Sequence, residues 1–145
     1  MTTPHHLPLK DKMELPFVDS PTAEWTPINI DELTTAIYRW GSARQILQNS
    51  SALSQSRKTG EEYHELVEAA VKFDTYKCVK NTSPVLYEKT RNSLKDAIGD
   101  VYVTLCMVAG CAGFDIRDCI EHAYHEIKDR KGHLNEDGVF VKEES

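Results

Sequence analysis

The sequence predicts an all-α protein: a bundle of about four helices, with an extended arm before it and a short tail after it. Three observations carry that prediction. Apolar residues recur at helical spacing in separate stretches, most plainly along Leu94, Ile98, Val101, Leu105 and Val108. Residues that start helices stand where such stretches begin, at Asn29, Ser83-Pro84 and Asp115. Five of the six prolines fall within the first 27 residues, so helix breakers are confined to the arm and to one helix start.

Residues 1–28 show no sustained periodicity and read as the arm. Within it Leu15-Pro16-Phe17-Val18 offers a segment that docks on a surface, while His5-His6 is too short for a metal-binding tract. The helical domain spans 29–132. Its first helix begins near Asn29, with Glu32 three residues on in the manner of a capping box. That helix carries Leu33, Ala36, Ile37, Trp40 and Leu47, and Gly41 in its interior costs about 1 kcal/mol relative to alanine, so a close approach is expected there. Trp40 reads first as core and second as a surface on which a base stacks. Arg44, in the same stripe, reads as a snorkelling side chain or as a phosphate contact.

Asn49 to Ser54 is a loop rich in turn formers, and the second helix follows from about Gln55 to about Asp74. Thr75 to Thr82 is a polar connection. Ser83 as N-cap and Pro84 at the first helical position start the third helix, which ends before Gly110-Cys111-Ala112-Gly113. Asp115 caps the last helix, with a core stripe of Ile116, Cys119, Ile120, Ala123 and Ile127 and with Gly132 just past its end. Arg130 and Lys131 finish that inward stripe, and Lys128 lies on its flank. The tail, 133–145, holds Asp137-Gly138 and then Val139-Phe140-Val141, a turn and short strand folded back on the body.

Charge and composition narrow the function. A chain of 145 residues buries about two thirds of its unfolded surface, enough for one domain. Its net charge of −6 argues against binding a nucleic acid polymer, which needs a basic stripe. No apolar run approaches about 18 residues, so no membrane span is expected. Without a signal-peptide pattern at the start, a cytoplasmic location is the expectation. The four cysteines form no C-x-x-C pair and read as buried thiols, and Cys119 with His122 makes only a weak metal pair.

The chemistry lies in two acidic pairs. On the second helix Glu61, Glu68 and Lys72 fall in the middle of the polar side, as a solvated face would. Glu62 and Glu65 instead border the side carrying Leu66, Ala69, Ala70 and Phe73. On the third helix Asp96 and Asp100 share a face that continues into Val103 and Met107. With its opposite stripe also apolar, this helix reads as central, and both aspartates are expected to point into protein. Four converging carboxylates would repel by on the order of 3 kcal/mol per pair at about 5 Å and an effective dielectric of about 20. Unless the four are unrelated surface acids, either some are protonated or a cation sits among them, and oxygen-only ligands suit Mg²⁺ or Mn²⁺.

Glu61-Glu62-x-x-Glu65-Leu66, followed by Asp96-x-x-Gly99-Asp100-Val101, resembles the MazG-like, all-α nucleoside triphosphate pyrophosphohydrolases, a superfamily that includes dimeric dUTPases and dCTP pyrophosphatases. The resemblance covers about Gln55 to Gly132. It implies a MazG-like bundle in which Glu62, Glu65 and Asp100 hold Mg²⁺ around a triphosphate. The family's Glu-x-x-Asp has Ala97 in place of its glutamate, so Asp96 would take over that role, and the gap between the acidic pairs is longer than usual. The reaction implied is hydrolysis of a nucleoside triphosphate to monophosphate and pyrophosphate by a metal-activated water, with a deoxynucleotide preferred. The resemblance further implies that Lys58, Lys128, Arg130 and Lys131 steady the phosphates, and that the protein is a homodimer or homotetramer. Two other readings stand beside it. A non-catalytic helical module that binds nucleotide or a partner accommodates Ala97. A di-iron carboxylate bundle wants two Glu-x-x-His motifs and finds one, Glu61 to His64.

Overall fold

A computed structural model describes residues 29–144. The arm, with its docking segment and His5-His6, lies outside the described residues. The described chain is mostly helical: α1 (Ile30–Ala43), α2 (Ile46–Asn49), α3 (Ala52–Tyr76), a 3₁₀ turn (Lys77–Val79), α4 (Pro84–Cys111) and α5 (Ile116–Ile127). Two short strands follow, β1 (Gly132–Leu134) and β2 (Phe140–Lys142).

Local chemistry explains the helix ends. The Asn29 side chain accepts from the backbone N–H groups of Asp31 and Glu32 at 3.1 and 3.2 Å, capping α1. Gln45, at φ 59°, breaks the first apolar stripe, so Leu47 belongs to the short α2 and not to α1. Ser51 caps α3 by accepting from Ser54 N–H, which starts that helix at Ala52, inside the expected loop. Pro84 opens α4, but the Ser83 side chain makes no capping hydrogen bond. At the other end α4 runs through Gly110 to Cys111. There Gly113 (φ 80°) donates to Gly110 O and Phe114 to Ala109 O, the paired bonds of a Schellman motif. Asp115 caps α5 by accepting from Arg117 N–H at 2.8 Å.

The long helices α3 and α4 form an antiparallel hairpin, with Phe73 stacked near Tyr87 (centroids 5.9 Å apart) towards its closed end. Helices α1 and α2 lie on the C-terminal half of α4, and α5 turns away from α4 by 102°. The core is small: Cys106, Met107, Ala109 and Ile116, bordered by Ile37, Tyr38 and Leu47. Gly41 is buried against Met107, whose Cε would lie 2.7 Å from an added Cβ, which is the close approach its sequence position anticipates. Arg117 ties α5 to α1 by donating to the Asp31 carboxylate and carbonyl and to the Thr35 hydroxyl.

Several expected core stripes face elsewhere. On α4 the buried side runs through Thr90, Ala97 and Thr104, while Ile98 and Leu105 are exposed. Small residues let α3 and α4 approach closely, so the bulkier stripe is left on the hairpin's outer flank. On α1, Thr34 and Gly41 turn inward, and Leu33 and Trp40 do not. On α5 only Ile116 is buried, with Ile120, Ala123 and Ile127 exposed. That helix ends at Ile127, and Gly132, expected just past it, pairs with Lys142 in β1. The tail turn is built by the Asn135 side chain, which accepts from Asp137 and Val139, and by Gly138 at φ 75°.

Candidate functional site

The α3–α4 hairpin has two flanks. On one, Glu65, Asp96 and Asp100 line a groove of about 590 Å³ between the helices. An adjoining cleft of about 780 Å³ shares Asp100 and adds Glu62, Lys58, Gln55 and the face of α1 that carries Trp40. The antiparallel register that brings Phe73 to Tyr87 sets Glu65 across from Asp96 and Glu62 across from Asp100. All four sequence-predicted carboxylates therefore fall on one flank.

They are less enclosed than expected. Glu62 is the best covered, its side chain 12% exposed, whereas Glu65, Asp96 and Asp100 are exposed residues. Asp96 and Asp100 thus border a solvent-open groove and do not point into the core, because the inward positions of α4 are taken by Ala97 and Thr104. The site still perturbs them. Partial desolvation, then the charges of Asp96 and Glu62, push the Asp100 carboxyl above its usual range, and Lys58 offsets part of this. Lys58 Nζ donates to Glu62 at 2.7 Å and to Glu61 at 2.9 Å, and these bonds hold its ammonium well above the ordinary lysine value.

Carboxylate oxygens alone suit a hard divalent cation, and after desolvation, the larger cause, the charges of Asp96 and Glu62 that raise Asp100 are ones such an ion would offset. Among the described residues, however, no three Asp, Glu, His or Cys side chains stand together as a group that could hold a metal. Glu62 is turned to Lys58. The donor chemistry fits Mg²⁺, but the side chains would have to turn towards one another to surround it. Cys119 and His122 belong to no such group either, nor do Glu61 and His64.

The predicted substrate residues divide. Lys58 and Trp40 stand at the carboxylates, in the adjoining cleft. Trp40 is 41% exposed and so not core, with the Arg44 guanidinium 4.7 Å over its ring. Lys128 instead caps the C-terminus of α5, and Arg130 and Lys131 line a separate cleft with Lys142, Glu143 and Glu144. Within one chain these three cations do not reach the acidic flank. Two others do: Lys72, read as part of a solvated face, and Lys89 both line the groove. A sequence signal for them exists, since Lys72 stands seven residues after Glu65 and Lys89 seven before Asp96.

Fold and site together define a helical protein whose long hairpin carries acids and lysines along one groove, beside an apolar cleft. Comparisons with protein-family models, curated proteins and solved structures gave no match to this chain. No single helix among the described residues is long and apolar enough to cross a membrane.

Proposed function

We propose that the protein is a Mg²⁺-dependent nucleoside triphosphate pyrophosphohydrolase of MazG-like architecture, converting a nucleoside triphosphate, preferentially a deoxynucleotide, to monophosphate and pyrophosphate. The observation that carries this reading is the facing of Glu62 with Asp100 and of Glu65 with Asp96 on one flank, next to an apolar cleft. Overall, one water adds across the α–β anhydride. Its oxygen goes to one phosphoryl group, the bridging oxygen stays with the other, and a proton is released. Glu62, Glu65, Asp96 and Asp100 would hold the ion, which when bound supplies charge neutralisation for the phosphates and a lowered pKa for the water.

The chain's own residues do the rest. Lys58 is poised to leave Glu62 for a phosphate oxygen, exchanging one anion for another. Trp40, Leu33 and Ala36 offer a flat apolar wall to the base, and Gln55, whose amide donates to Ser50 at 2.9 Å, brings a polar edge to the same cleft.

The opposite flank bears on assembly. Leu53, Tyr63, Val67 and Val71 of α3 and Ile98 and Leu105 of α4 are all 40–63% exposed there. Together they present on the order of 600 Å² of apolar surface, close to the ~800 Å² per partner of a stable interface and more than one soluble chain usually leaves open. We infer that a second copy covers it about a two-fold axis, hairpin on hairpin.

A panel of ribo- and deoxynucleoside triphosphates with Mg²⁺, assayed separately for pyrophosphate and orthophosphate, tests the activity. Pyrophosphate release lost in Glu62→Ala supports it. Orthophosphate alone, or a folded protein that binds Mg²⁺ and turns over nothing, sinks it in favour of another phosphohydrolase or of a binding module.

A further inference from the structure

The groove is polar in the literal sense that its two ends carry opposite charge. At one end stand Glu62, Glu65, Asp96 and Asp100. Two helical turns away, about 10 Å along the hairpin axis, Lys72 of α3 and Lys89 of α4 line the other end. The register that pairs Glu65 with Asp96 also sets Lys72 across from Lys89. Both lysines are exposed, and among the described residues neither makes an ion pair, unlike Lys58 and Lys77, whose ammonium groups are taken up by neighbouring carboxylates. Between the charged ends lie Ser93, the buried Thr90, whose hydroxyl is already committed to the Tyr87 carbonyl, and Glu68, which is turned to His64 at 3.5 Å. An apolar cleft adjoins the acidic end.

This arrangement suits an elongated ligand with an apolar head and an anionic tail. Laid with its head against α1, such a ligand crosses the carboxylates and ends between the two lysines. We propose that Lys72 and Lys89 bind the terminal phosphates of the substrate, and hence the departing pyrophosphate. The proposal rests on the pyrophosphohydrolase reading and adds to it the direction in which the substrate lies. Two point charges converging from opposite walls grip the outer phosphates without touching the bond that breaks. They belong to the same chain as the acids.

The test measures binding apart from turnover. Calorimetric titration with inorganic pyrophosphate and, separately, with a nucleoside monophosphate, both with Mg²⁺, is run on the wild-type chain, on Lys72→Gln/Lys89→Gln and on Lys72→Arg/Lys89→Arg. Both side chains are exposed, so the variants are expected to fold, and far-UV circular dichroism checks this. The expected result is a loss of pyrophosphate affinity of about 30-fold or more in the glutamine pair, with monophosphate affinity within about twofold of wild type and most of the loss restored by arginine. A glutamine pair that binds pyrophosphate within about threefold of wild type overturns the proposal, and so does one that loses both ligands equally. If that happens while the wild-type chain releases pyrophosphate from triphosphates, only the lysine assignment fails. A wild-type chain that releases none takes the underlying reading down with it.

Discussion

The two flanks of the α3–α4 hairpin are made from the same pair of helices and differ in almost every property. One carries five carboxylates, Glu68 among them, and two lysines that form no ion pair among the described residues, around an open groove; the other carries Tyr63, Val67, Val71, Ile98 and Leu105, exposed and without charge. The core between them is built of small residues, Ala69 and Ala97 among them, and so keeps the helices close. Chemistry is thereby left to one side and association to the other. The lesson is that an exposed apolar stripe beside a well-formed acidic groove is not a packing failure, since a helix can be central to an assembly without being central to its own chain.

Substitutions can break that contrast one flank at a time. The largest effect is expected on the acidic side, where Asp100→Asn should cut pyrophosphate release by at least about 100-fold, since even the outer-shell partners of metal ligands cost about 10–100-fold. Steady-state assays with Mg²⁺ check this, and the same variant should leave the oligomeric state alone. On the apolar side, Ile98→Glu should do the reverse to assembly. Burying a carboxylate twice per two-fold contact should weaken self-association by about 30-fold or more, read by sedimentation equilibrium. A wild-type chain that is monomeric at high concentration would remove the contrast altogether.

Smaller effects sharpen it. Gly41→Ala forces a methyl group against Met107, where α1 is held on α4, and should destabilise the fold by about 1–2 kcal/mol in urea titration, with the flexible thioether limiting the cost. The smallest effect concerns pH. Because Asp100 titrates above its ordinary value of 3.8, ionising it opposes folding. Its unfavourable contribution is absent below that value, grows as pH rises above it, and is complete once pH passes the folded-state pKa. Asp100→Asn should therefore stabilise the metal-free protein at neutral pH by about a few tenths of a kcal/mol, exposure screening the rest, and by nothing near pH 3. Loss of activity with a gain in stability is what a functional carboxylate predicts and a structural one does not.

Much of the fold is legible in the chain because it is local. Asn29, Pro84 and Asp115 announce helix starts through their own backbone chemistry, whereas α4 runs past its expected end before Gly110 and stops at Cys111. The spacing of Glu62 with Glu65 and of Asp96 with Asp100 places each pair along one side of one helix without any knowledge of neighbours. What fails is the choice between stripes. A helix apolar on two sides does not say which side meets α3, and Ala97 and Thr104, not Leu94 and Leu105, won that contact by being small. Nor does the last helix declare that it turns away by 102°, carrying Arg130 and Lys131 off the acidic flank.

The sequence by itself determined where three of the helices begin, at Asn29, Pro84 and Asp115, and the acidic spacing, both of which are set within a few turns of chain. Only the tertiary structure decided that Glu65 faces Asp96 and that Lys72 faces Lys89. Such pairings depend on the register of two helices joined by a distant turn, and register is fixed by contacts such as Phe73 on Tyr87, in which neither residue carries information about the other until the chain has folded.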